Sequence, residues 1–172
     1  MSILSKYLSK ELNTLLWKVE ETVSTAESCT GGEIAATLTK IAGSSNYFKG
    51  GIVVYTDESK VKFLGVNPET IEKYTVYSEE VVKEMVKGCC EAFNTTYAVA
   101  VSGVAGPTGS LPGVPVGTIW IAVVTKDEVR TYKRTEDETR ERNIEYATTD
   151  ALQMLYDFIQ ERHKEEQLPE TE

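Results

Sequence analysis

A chain of 172 residues with 41% hydrophobic and 26% charged side chains can bury one substantial core, and none of its apolar runs approaches the roughly 20 residues that span a bilayer. The formal net charge of −9 disfavours nucleic acid, whose binding rests on a basic face that displaces counterions, yet a local set of backbone N–H groups could still hold an anionic small molecule. Three cysteines, two of them adjacent, and one histidine build neither a disulfide framework nor a recognisable zinc site, so reduced thiols are expected.

The chain opens with Leu4, Tyr7, Leu8, Leu12, Leu15 and Leu16 interrupted by Lys and Glu. That spacing is an amphipathic helix and not a secretory signal, so a cytoplasmic protein is expected. Thr22 to Ala26 reads as a short strand. Gly31-Gly32 then opens a helical pattern through Ile34, Leu38 and Ile41 that stops at Gly43, leaving Glu27-Ser28-Cys29-Thr30 at a strand-to-helix turn. The Ile52-Val53-Val54-Tyr55 run predicts a buried strand over Gly51 to Thr56, followed by a helix from Asp57 to Phe63 that ends at Gly65. Pro68 to Tyr74 reads as a short helix with proline near its first position. Ser78 is a good N-cap for a longer helix to about Phe93, with Cys89 and Cys90 as small apolar residues on it.

Tyr97 to Val101 is an apolar strand, and the glycines and prolines between Gly103 and Gly117 demand a long irregular loop of the kind that usually carries function. Thr118 to Thr125 and Val129 to Thr135 read as a hairpin. Thr135 with Glu138 predicts a capping box for a last helix whose apolar positions include Ile144, Ala147, Ala151, Leu152, Leu155 and Ile159. The expected fold is a layered α/β/α sandwich with a mostly parallel sheet and an antiparallel edge hairpin. Residues 1–164 form one domain in this reading, and 165–172 form an acidic, disordered tail. Ligands of such folds sit at the carboxyl ends of parallel strands, where Ser28, Tyr55 and Ser102 fall.

Ser28 stands beside the open N–H groups of a helix start, which could supply an oxyanion hole or an anion site; a plain capping role for Ser28 or Thr30 is the competing reading. His163 lies in the polar stretch Gln160 to Lys164, so a Ser-His-Asp triad is not expected. Lysine remains as a base, and Tyr55 with Lys60 straddles a strand-to-helix junction. A neutral lysine at pH 7 requires its pKa of about 10.4 to fall by about three units, which burial can supply. Cys29 competes with Ser28 as nucleophile, because a helix N-terminus lowers a thiol pKa.

Thr25 to Gly32, Ile41 to Ser45, Gly51 to Tyr55, Glu58 to Lys60, Ser102 to Pro107 and Pro115 to Trp120 resemble, in order and spacing, the C-terminal domain of the competence/damage-inducible protein A (CinA) family. The resemblance covers about Leu4 to Ile159. It implies an amidohydrolase that converts nicotinamide mononucleotide to nicotinic acid mononucleotide and ammonia without a metal or organic cofactor. It further implies Ser28 as nucleophile, Lys60 and Tyr55 as the groups that activate it and move the proton, and an oxyanion held near Thr30 to Gly32. Glu27, Thr30, Gly31, Gly32, Ser102, Gly103, Gly106 and Thr108 would surround the substrate, and Arg140 would reach its phosphate from this chain or a second subunit. A pyridine nucleotide is the partner so implied, together with self-association into a homo-oligomer and with no role for nucleic acid or membrane. A nucleotide-binding homologue without turnover, or an amidase for another small amide, remain the alternatives.

Overall fold

The computed structural model describes residues 2–165. Five strands, β1 (Val23–Glu27), β2 (Phe48–Val53), β3 (Tyr97–Gly103), β4 (Ile119–Val124) and β5 (Val129–Arg134), form one sheet in the order β2-β1-β3-β4-β5. β1 pairs in parallel with β2 and β3, and β4 is antiparallel to both its neighbours, so four of the five strands share one direction. The expected mostly parallel sheet with an antiparallel edge hairpin is therefore the observed one.

Helices α1 (Ile3–Val19), α2 (Glu33–Thr39) and α6 (Arg140–Glu165) cover one face of this sheet, and α3 (Asp57–Leu64), α4 (Pro68–Tyr74) and α5 (Glu79–Phe93) cover the other. The two-residue period of β3 explains the division. Tyr97, Val99 and Val101 enter the core under α1 and α6, whereas Ala98 and Ala100 face α5. Small side chains on that second face allow Val82, Met85, Val86 and Cys89 of α5 to pack close to the sheet. Gly88 serves the same closeness, since a Cβ there would stand 1.9 Å from the Leu64 carbonyl oxygen at the end of α3. Among the described residues no helix is long and apolar enough to cross a membrane.

Several local expectations are corrected. α2 ends at Thr39, short of Ile41, and a 3-10 turn over Ser44–Asn46 follows. β2 starts at Phe48 and ends at Val53, and it is an edge strand: Val53 is 49% exposed. An edge strand buries one face only, so its apolar run overstated its burial. Leu4 and Tyr7 of α1 face solvent, while Leu8, Leu12 and Leu16 are buried. The last helix starts at Arg140, and the Arg142 N–H donates to Thr139 Oγ1 at 3.4 Å, so Thr139 and not Thr135 caps it. Residues 135–138 are held outside the helix, in part by Asn143 Oδ1, which accepts from the Glu138 N–H at 3.0 Å. The tail expected over 165–172 lies outside the described residues from 166 onward; Glu165 is the last residue of α6.

Candidate active site

The carboxyl ends of β1, β2 and β3 meet where the Ser28 N–H donates to the Val101 carbonyl at 3.0 Å and the Val54 N–H donates to the Glu27 carbonyl at 2.8 Å. These bonds extend both parallel pairings one residue past the strands. Ser28 and Val54 are thereby carried to the mouth of a cleft. Thr56 and Ser59 then form a reciprocal capping box that starts α3 sharply, and Lys60 falls on its first turn pointing inward. Lys60 is only 1% exposed, and its Nζ donates to Ser28 Oγ at 3.1 Å and to the Val54 carbonyl at 3.0 Å.

Burial of this amine lowers its pKa from the ordinary 10.5, while the Asp57 carboxylate one turn earlier opposes the shift. The direction has a stability consequence. The unfolded chain holds the Lys60 proton up to about pH 10.5 and the folded chain releases it earlier, so raising pH between the two values favours the fold. Lys60→Met should flatten that rise by up to about 1.4 kcal/mol per pH unit, read from urea denaturation across the alkaline range. Equal pH slopes in the two proteins would count against a depressed lysine.

Cys29, the competing nucleophile, is buried, and burial pushes its thiol up to about 12. It therefore stays protonated, and the helix start is not enough to activate it. His163 pairs with Glu21 at 2.8 Å, at the opposite end of β1 from Ser28.

The helix start itself is already occupied. Glu27 is 1% exposed, and its carboxylate accepts from Thr30 Oγ1 at 2.7 Å and from the N–H groups of Gly32, Ile34 and Ala35 at 3.1, 3.0 and 2.8 Å. The Gly31 N–H is bonded to the Ser28 carbonyl at 3.0 Å. Hence the expected anion site over Gly31-Gly32 is filled by the chain's own carboxylate. Among the described residues the N–H groups of Cys29 and Thr30, directly after Ser28, find no oxygen acceptor.

Ser28, Tyr55, Lys60, Gly103, Gly106, Thr108 and Arg140 all line one cleft of about 170 Å³, whereas Glu27, Thr30, Gly31, Gly32 and Ser102 do not. Ser102 Oγ instead donates to the Val76 carbonyl at 3.0 Å, which ties the segment before α5 to the end of β3. Arg140 arrives from α6 of the same chain, donating through Nη1 to the Gly106 carbonyl at 2.7 Å and through Nη2 to the Tyr55 hydroxyl at 2.8 Å. Tyr55 is thus brought to the cleft, 56% exposed, with its hydroxyl engaged by Arg140 and not by Ser28. Asn143, fully buried one turn into α6, donates to the Ala105 carbonyl at 3.1 Å and holds the glycine-rich loop against the helix.

Sequence reasoning missed Tyr77 as a cleft residue and Asn143 as the loop's anchor. Tyr77 and Asn143 sit in connections and polar runs that carry no local signal.

The CinA C-terminal domain family matches residues 5–159. A protein of Shigella flexneri named nicotinamide-nucleotide amidohydrolase PncC is 42% identical over 155 residues, covering 89% of this chain and 94% of its own. A CinA-like protein of Flavobacterium psychrophilum is 45% identical over 148 residues, 86% of this chain but 35% of its own, so the chain spans about a third of such a relative's length. Among solved structures, competence/damage inducible protein CihA from Agrobacterium tumefaciens superposes with a TM-score of 0.86 at 35% identity over 90% of this chain and 97% of its own. A CinA superfamily protein from Klebsiella pneumoniae 700603 does so with a TM-score of 0.88 at 30% identity over 91% and 98%.

Proposed function

The chain belongs to the CinA C-terminal domain family, and from the buried contact between Lys60 Nζ and Ser28 Oγ we propose that it is a nicotinamide-nucleotide amidohydrolase. The likeness to the Shigella flexneri amidohydrolase supplies the substrate class. The contact itself supplies the chemistry.

In this reading Lys60 in its neutral form takes the proton from Ser28 Oγ as that oxygen attacks the carboxamide carbon of nicotinamide mononucleotide. The oxyanion is held by the N–H groups of Cys29 and Thr30, the position after a serine nucleophile from which such donors commonly come. Lys60 then passes its proton to the leaving nitrogen, which departs as ammonia and leaves an ester on Ser28. Water attacks that ester with Lys60 again as base, giving nicotinic acid mononucleotide. Lys60 and not Tyr55 is the base, because its Nζ alone of the two reaches Ser28 Oγ. Tyr55, at the mouth, and Arg140 beside it receive the ribosyl phosphate, which displaces the Gly106 carbonyl from the guanidinium. The cleft volume of about 170 Å³ suits the carboxamide-bearing ring, with the remainder of the nucleotide outside it. No step draws on a metal or organic cofactor.

The test is ammonia release from nicotinamide mononucleotide by the purified protein. Folded protein that binds the nucleotide and releases no ammonia would overturn the hydrolase reading. A pH profile sharpens it: Asp57 raises the Lys60 pKa, so Asp57→Asn should move the acid limb of kcat/KM to lower pH. An unchanged limb would remove Lys60 as the titrating base.

A further inference from the structure

Asp57 and Tyr77 line the cleft and have no part in the bond-breaking steps above. Asp57 stands on the first turn of α3, and among the described residues its carboxylate has no hydrogen-bond or ion-pair partner. Tyr77 comes from the connection that Ser102 ties down through Val76, and it is half-buried. Its hydroxyl is close enough to Asp57 and Tyr55 for both to act on it electrostatically, which together with burial raises its pKa. One carboxylate and two phenol rings are thus gathered in one small cleft. The charged side chains lining that cleft are Asp57, Lys60 and Arg140; Lys60 Nζ is turned inward to Ser28 and Val54, and Arg140 donates to the neutral Gly106 carbonyl and Tyr55 hydroxyl at the mouth. Among the described residues Asp57 is the one acidic side chain lining the cavity.

An unpaired carboxylate beside aromatic faces is the chemistry that recognises a delocalised organic cation, since the ring quadrupole and the carboxylate act in the same direction. We propose that Asp57, with the rings of Tyr55 and Tyr77, forms a subsite that selects amides carried on a positively charged aromatic ring over the same amides on an uncharged ring. This assignment rests on the amidohydrolase reading and adds its selectivity. It also bears on turnover. Hydrolysis of the amide creates a new carboxylate within the cleft, and its repulsion by Asp57 hastens departure of the product.

The probes are nicotinamide mononucleotide, whose pyridinium ring is cationic, and its reduced dihydropyridine form, which keeps the amide, ribose and phosphate and loses only the ring charge. Binding of both is measured by calorimetry to the Ser28→Ala protein, which cannot consume them. Asp57→Asn in that background should weaken the cationic probe about tenfold and shift the neutral one by less than about twofold. Asp57→Glu, which retains the charge, should keep most of the preference, and Tyr77→Leu should reduce it. Equal losses for both probes, no loss for either, or no measurable binding of the cationic nucleotide would each overturn the subsite. Wild-type protein that shows the charge preference but releases no ammonia would overturn the hydrolase reading alone.

Discussion

Ser28→Ala is expected to abolish ammonia release, lowering kcat by on the order of 10⁴-fold or more, the scale seen when a hydrolase loses its nucleophile. The size follows from the scheme, because no second group in the cleft can replace the oxygen that forms the acyl bond. Cys29 is the nearest candidate in sequence, and its buried thiol, held up to about 12, is not ionised at neutral pH. The fold should be almost untouched. Ser28 makes one side-chain hydrogen bond, to Lys60 Nζ, which keeps the Val54 carbonyl as a partner, so a loss of no more than about 1–2 kcal/mol is expected. Activity lost with a nearly unchanged Tm is the diagnostic pair. Retention of more than a few per cent of wild-type turnover would remove Ser28 from the chemistry.

Glu27→Ala is the second large effect, and it acts in the opposite way, through the fold. The buried Glu27 carboxylate is the shared acceptor for one hydroxyl and three backbone N–H groups at the start of α2, two of those bonds being fully buried and two partly so. Alanine leaves all four donors without a partner, and a buried donor so orphaned costs about 1–3 kcal/mol. Since relaxation makes such losses less than additive, roughly 3–5 kcal/mol is expected, or a fall in Tm of about 10–15 °C for a chain of this size. Glu27→Gln should fall between, because the amide NH₂ cannot accept. Thermal denaturation decides the matter: a Tm within about 2 °C of wild type would mean that the helix start caps itself. Activity should fall as well, because the turn that presents Ser28 and the N–H groups of Cys29 and Thr30 is built on that cap.

Much of this site could be read in advance, for reasons that differ from residue to residue. Gly31-Gly32 after Ser28 marks a strand-to-helix turn wherever it occurs, and both glycines adopt the left-handed conformation the turn needs, with φ of +60° and +99°. The junction carrying Tyr55 and Lys60 was equally plain. What the linear pattern could not supply was which of these side chains meets Ser28. Tyr55 and Lys60 are both nearby in sequence, and only the parallel register Glu27↔Val53 and the capped start of α3 turn Lys60 inward and leave Tyr55 at the mouth. The resemblance implies Glu27 as a substrate contact, and its tertiary bonds to Gly32, Ile34 and Ala35, which the linear pattern does not carry, place its carboxylate at the helix start.

The order of helices and strands, the α/β/α layers and the turn that bears Ser28 were determined by sequence alone, because apolar periodicity, caps and glycine-proline breakers act over a few residues. The meeting of Lys60 with Ser28 across 32 residues, of Arg140 with Tyr55 across 85, and of Asp57 with Tyr77 in one cleft was decided only by tertiary structure. Such pairings follow from strand order and register, and it is the burial they create that depresses the lysine.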